Sequence, residues 1–243
     1  MPTTHTSDLA CESSRLISGV SGSRTLSRTI GGVKITDIRI PDSGGRLRPG
    51  RYITLEGDPS GNALPALLRR ALMQLLPPTG MILAAGLGNP DITRDSLGAL
   101  TIRRLVPRKG SRYSLAAVET DVAARTGIET LSLVRAAARE INSACVIAAD
   151  SLSCSSAARL CRTVQLSTAG ITPGSGTTAP RRELSQRTVG VPVIALGVPT
   201  ALCVEDLTHD PSHRGLLASP GDEDVQLRLW AYCISDAVNS VIR

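Results

Sequence analysis

The 243-residue chain has no phenylalanine, one tryptophan and three tyrosines. Its core cannot rest on stacked aromatics, so Leu, Ile, Val and Ala must fill it, a composition suited to parallel strands under helices. Lysine is nearly missing too: Lys34 and Lys109 stand alone among 27 basic residues, and the net charge of +6 rests on arginine. Arginine neutralises phosphates. Here, however, it is scattered, with almost no aromatics beside it to stack on bases, so no direct nucleic-acid partner is expected. A groove for acidic peptide is a better use of the charge. The six cysteines, Cys11, Cys145, Cys154, Cys161, Cys203 and Cys233, form no C-x-x-C pair. The first 25 residues lack an apolar signal core, and no clean run of 18 apolar residues occurs. A cytoplasmic chain with reduced thiols and no membrane partner is expected.

Residues 1–30, rich in Ser, Thr and Arg, read as a mobile leader. Alternating patterns predict strands at 32–40 and 50–57 around a Pro- and Gly-rich loop, and helical periodicity over 63–76 stops at Pro77-Pro78. Apolar strands at 81–88, 113–119, 145–150, 163–168 and 191–199 are interspersed with helices at 94–105 and 128–142. A capping box between Thr126 and Glu129 opens the second of these helices. Residues 227–243 read as a closing helix. This alternation predicts one α/β domain over 31–243, a doubly wound, mostly parallel sheet flanked by helices.

In such sheets functional groups gather beyond the carboxyl ends of strands. Asp95 follows the strand ending in GLGN (86–89), and Asp150 ends CVIAAD (145–150). Either could be a simple cap or turn residue. Together they could share a proton and activate water, as amide hydrolysis without a metal or covalent nucleophile requires. In ITPGSG (171–176), Gly174, Ser175 and Gly176 either cradle an oxygen with backbone N–H groups or only turn the chain. Asn89 has the same two readings, substrate contact or turn. Glu129 is explained by its capping box. Pro211 between His209 and His213 spoils a helical metal pair, GLGNPD lacks the third glycine of a dinucleotide loop, and PGSG is not a serine-hydrolase elbow. No metal or cofactor is expected.

GLGNPDITRDSLGA (86–99) resembles the signature of the spore germination protease family. TGIET (126–130), VIAADSLS (146–153), TVQLSTAGITPGSG (163–176) and VGVPVIALGVPT (189–200) follow in the family's order. SDLACE (7–12), GVKIT (32–36) and GRYITLE (50–56) precede. The resemblance implies an endopeptidase, an atypical aspartic peptidase, that degrades small acid-soluble spore proteins during germination. It implies a location in the forespore or spore core and a homo-oligomeric assembly. The family's two essential aspartates fall on Asp95 and Asp150.

It also implies a zymogen. Asp8-Leu9-Ala10 has the acidic–aliphatic–Ala form of a self-cleavage site, so residues 1–8 become a propeptide cut between Asp8 and Leu9. Arg159 matches an arginine of the family and is the expected partner of the acidic residue before the cut, with Arg181 and Arg182 as weaker candidates. With Asp95 in the first turn of a helix and Asp150 at the end of an apolar strand, Asp95 reads as the base and Asp150 as the acid. The chain departs from the family at Pro90-Asp91 (usually Trp-Asn), Thr172 (usually His) and Ser155 (usually Arg). Two other readings stay open: a paralogue that binds spore proteins without cutting them, and a metal-dependent peptidase.

Overall fold

The computed structural model describes residues 7–13, 17, 19–41, 47–173, 182–213 and 215–242. Gly31 and Gly32, with φ of 55° and 79°, turn Arg24–Ile30 (β1) back onto Val33–Ile40 (β2) as an antiparallel hairpin. Two successive positive φ angles are what a tight two-residue hairpin turn demands, and glycine meets that demand without steric cost. This corrects the mobile leader, because residues 24–30 form a sheet edge. Every residue of β1 is exposed, so the strand carries no apolar alternation from which it could be read.

The remaining strands are Gly50–Glu56 (β3), Gly80–Gly86 (β4), Tyr113–Glu119 (β5), Cys145–Cys154 (β6), Thr163–Ser167 (β7), Val193–Cys203 (β8) and Leu217–Ala218 (β9). They form one sheet in the order β1-β2-β3-β7-β8-β6-β4-β5, with β9 paired to β8. Strands β8, β6, β4 and β5 run parallel. The other half, β1, β2, β3 and β7, is antiparallel. The α/β alternation is thus present, with an antiparallel extension where the sequence shows strands but no intervening helices.

Helices cover both faces. Ala63–Met73 (α1), Leu97–Ile102 (α2) and Glu223–Ile242 (α7) bury Leu64, Leu68, Leu97 and Ile234 against Ile82 and Ile194 of the sheet. On the opposite face, Thr130–Glu140 (α4) and Gln186–Val189 (α5) place Leu131, Val134 and Val189 on Leu83 and Val146. Ala123–Thr126 (α3) and Val204–Thr208 (α6) are single turns. The sole tryptophan, Trp230, is fully buried, and its Nε1–H donates to the Cys161 carbonyl at 2.8 Å. It anchors the closing helix to the loop before β7.

Three local expectations are corrected. The helix read over 94–105 is a 3-10 turn, Thr93–Asp95, followed by the short α2. The Thr126–Glu129 capping box does not form. Gly127, at φ 69°, ends α3 in a left-handed cap, the Thr126 hydroxyl accepts the Ile128 N–H at 3.2 Å, and Glu129 caps α4 without a side-chain bond. A capping box is found instead between Ser185 and Thr188. Asp150 is not the last residue of its strand, because β6 continues four residues further, to Cys154.

Candidate active site

The chain leaves β4 for β5 with α2 on one face and returns to β6, on the other side of β4, with α4 on the opposite face. Open α/β sheets part their loops at such a reversal. β4 ends at Gly86, opposite Ala149, while β6 runs on beside β8. Asp150 therefore stands one residue past the end of β4 pairing, on a strand that remains held from its other side. It is 2 % exposed, and its Oδ1 accepts the Ser151 N–H at 2.9 Å.

Asp95 is brought to the same place by the turn after β4. Leu87 N–H donates to the Ala149 carbonyl at 2.8 Å, which ties the turn to β6 beside Asp150. Gly88 then adopts φ 91°, and the Asn89 N–H donates to Asp95 Oδ2 at 2.7 Å. The approach is so close that a Cβ on Gly88 would lie 2.8 Å from Asp95 Oδ1. Gly98, at the start of α2, packs in the same way: a Cβ there would come within 2.6 Å of the Ala149 carbonyl. Glycine at 88 and 98 thus lets turn, helix and β6 touch backbone to backbone. Asp95 and Asp150 line one cleft of about 310 Å³, together with Asn89, Ser153, Thr200 and Asp8.

The presence of Asp8 there comes from a segment far away in sequence. Its N–H donates to the Ser153 carbonyl at 3.1 Å, and its Oδ2 accepts the Ser153 N–H at 2.8 Å and the Ser153 hydroxyl at 2.7 Å. Gln165 Nε2 donates to the Asp8 carbonyl oxygen at 3.0 Å, and Gln165 Oε1 accepts the Ala10 N–H at 2.8 Å. Leu9 is fully buried with Leu152, Cys154 and Leu202. The Glu12 carboxylate anchors the far end of the segment, accepting the N–H groups of Ser155 and Ser156 at 2.7 and 3.1 Å and Arg159 Nη1 at 3.2 Å. Burial pushes the Cys154 thiol up to about 12, with nearby Glu12 adding to the effect. The thiol therefore stays protonated near neutral pH and serves as packing under Leu9 rather than as a nucleophile.

The structure thus brings Asp95, Asp150, Asn89 and Asp8 together. Asn89 is also part of the turn: its Oδ1 accepts the Asp91 N–H and Arg125 Nη1, both at 2.9 Å. Arg159 is not among the residues lining the cleft. Its guanidinium lies 3.2 Å from Glu12 and 3.2 Å from Glu56, so it meets the acid four residues beyond Asp8 instead of Asp8 itself. Arg182 is exposed, and Gly174, Ser175, Gly176 and Arg181 lie outside the described residues. Ser153 and Gln165 went unnoticed in the sequence as contact residues, although both fall within motifs quoted above. His209 and His213 stand at the end of α6 and in the turn after it. Among the described residues there is no group of three His, Cys, Asp or Glu suited to a metal, and no helix is long and apolar enough to cross a membrane.

The model of the germination protease family matches residues 5–213, a span that includes Asp8, Asp95 and Asp150. The chain is 32 % identical over 211 residues to the germination protease of Oceanobacillus iheyensis, covering 75 % of this chain and 57 % of that one. It is 31 % identical over 206 residues to that of Priestia megaterium, covering 74 % and 55 %. With the germination protease of Clostridium acetobutylicum it shares 30 % identity over 233 residues, covering 84 % and 70 %. The chain spans a little over half the length of the first two relatives. Among solved structures, a NiFe hydrogenase maturation protease from Thermococcus kodakarensis aligns with TM-score 0.41 and 14 % identity, covering 69 % of this chain and 98 % of that one. On the family match over most of its length and its agreement with these relatives, the chain belongs to the germination protease family.

Proposed function

We propose that the chain is an endopeptidase that cuts small acid-soluble spore proteins during germination, with Asp95 and Asp150 as a water-activating pair. The observation that carries this reading is the shared cleft: both carboxylates line it, and so does the acidic residue of the chain's own SDLACE segment. In the reaction, water sits between the two carboxyl groups. Asp95, whose carboxylate already accepts a backbone N–H, takes a proton from the water. The water oxygen bonds to the carbonyl carbon of the substrate amide. Asp150, nearly enclosed, gives its proton to the amide nitrogen as the C–N bond breaks, leaving a carboxylic acid and an amine. The second carboxyl group is then restored by proton exchange between the pair, which titrates as a unit.

Asp8 lines the aspartate cleft while Leu9 is buried beside it, which supports the zymogen reading: removal of the segment that ends at Asp8 would open the site. Action in the forespore or spore core and assembly into a homo-oligomer belong to the same reading. The experiment is incubation of purified protein with an acid-soluble spore protein, with and without chelator, and mapping of fragments by mass spectrometry. Cuts after acidic residues that persist in chelator and vanish in Asp95→Asn and Asp150→Asn are expected. Chelator-sensitive cuts would instead favour a metal-dependent peptidase. Binding of the spore protein without any cut would favour the non-catalytic paralogue.

A further inference from the structure

Asp150, Gly197 and Gln165 are register partners across β6, β8 and β7. Residues paired across neighbouring strands project to the same face, and strands lie about 4.8 Å apart. Asp150 and Gln165 therefore flank a gap roughly two strand spacings wide, with a glycine between them. A side chain at position 197 would not fit, since its Cβ would meet Leu152 Cγ at 2.6 Å. Gly197, Gln165, Asp8 and Leu9 together line a second hollow, of about 240 Å³, which shares Asp8 and Leu152 with the aspartate cleft. The Asp8-Leu9 peptide thus runs along the boundary of the two hollows, on the side of the sheet where Gln165 reaches its carbonyl oxygen.

We propose that Ser153 and Gln165 form the subsite for the acidic residue preceding the cut: Ser153 takes the residue's carboxylate and Gln165 its carbonyl oxygen. The inference rests on the endopeptidase reading and specifies how its substrate is recognised. Asp8 displays the contacts. Its carboxylate is held by the N–H and the hydroxyl of one residue, three positions after Asp150 on the same strand, so recognition of the acid and placement of the proton-donating group share one element. Its carbonyl receives the Gln165 amide, which is itself 6 % exposed and fixed at its other end by Ala10 N–H. A donor held against that oxygen polarises the carbonyl and strengthens its hold as negative charge develops there. Both Ser153 donors meet one carboxylate oxygen, Oδ2; the amide oxygen of an Asn in that place is neutral and forgoes the strength of charge-assisted bonds. Arg159, held at Glu12 and Glu56, has no part in reading this residue.

The test uses the full chain and peptides with the sequence of residues 5–13, carrying either Asp or Asn at the position of Asp8. Cleavage is followed by mass spectrometry and binding by the anisotropy of a fluorescent label. The unmodified protein is expected to prefer the Asp peptide. Ser153→Ala should reduce that preference by roughly 10–100-fold, the effect of losing one charge-assisted hydrogen bond, with little change toward the Asn peptide. Ser153→Thr should restore the preference, which separates recognition from folding. Gln165→Leu should lower kcat on the Asp peptide by about 10²-fold while KM changes less. If the protein cuts neither peptide, the endopeptidase reading fails, but binding still decides the subsite: an Asp preference that Ser153→Ala lowers about tenfold or more sustains it. Equal affinity for both peptides, a preference undiminished by Ser153→Ala, or a preference lost instead in Arg159→Gln would overturn it.

Discussion

The position of Asp95 depends on the absence of a side chain at Gly88, so Gly88→Ala probes the site without touching a functional group. At φ 91° an L-residue costs about 1–2 kcal/mol in backbone strain alone. The new Cβ would also stand 2.8 Å from Asp95 Oδ1 and 3.0 Å from Cγ, and closer still to the Asp95 carbonyl oxygen. Backbone cannot yield as the tip of a flexible side chain does. Relief therefore requires Asp95 to move by on the order of 1 Å, and a misplacement of that size costs about 10²-fold in rate. The variant should remain folded, because Gly88 itself belongs to neither hydrophobic cluster on the sheet faces. The assay is the initial rate of spore-protein cleavage, with urea unfolding followed by circular dichroism on the same preparation. A rate within threefold of wild type in the folded variant would refute the claim that this turn sets the position of Asp95 on which the proposed reaction depends.

Other outcomes follow from the core. Trp230→Phe removes the indole N–H that satisfies the buried Cys161 carbonyl and should cost about 1–3 kcal/mol; for a chain of this size each kcal/mol lowers Tm by roughly 2–4 °C. A melting curve by circular dichroism that superimposes on wild type would contradict this. Burial pushes the thiols of Cys145, Cys154 and Cys233 up from an ordinary value of 9.0 to about 12, and that of Cys161 to about 11. Because the folded state holds these protons more tightly than the unfolded chain, the contribution is complete below about pH 9. It is lost between about pH 9 and 12, as unfolded thiols ionise and folded ones do not. Urea midpoints should accordingly be level from pH 7 to 8.5 and fall above pH 9; a midpoint constant to pH 10.5 would count against the buried, protonated thiols.

Much of the scaffold could be read along the chain wherever burial imposes a period. The apolar runs of β4, β6 and β8 and the amphipathic face of α4 announce themselves, because one-sided or two-sided burial selects residue type at fixed spacing. Strand β1 does not. It is exposed throughout, and the pair of glycines at its turn is the only local signal. The Thr126–Glu129 spacing fits a capping box, yet Gly127 in a left-handed conformation breaks the helix between the two residues. A composition pattern cannot show that a glycine has taken a positive φ.

The same division runs through the site. The order of apolar strands placed Asp95 and Asp150 near carboxyl ends of strands, and the quoted motifs supplied the family. That two acids 55 positions apart meet in one cleft is decided by the reversal of strand order between β4 and β6 and by the glycines that let the turn after β4 touch β6. Arg159 shows the limit from the other side. An arginine matched to the acidic residue through the family resemblance and its charge is drawn in the fold to Glu12 and Glu56, while a neutral serine and a neutral glutamine donate to Asp8. The sequence by itself determined the residue types available, the α/β class and the family. Tertiary structure decided which donor meets which acceptor, because hydrogen bonding depends on distance and direction between strands that are remote along the chain.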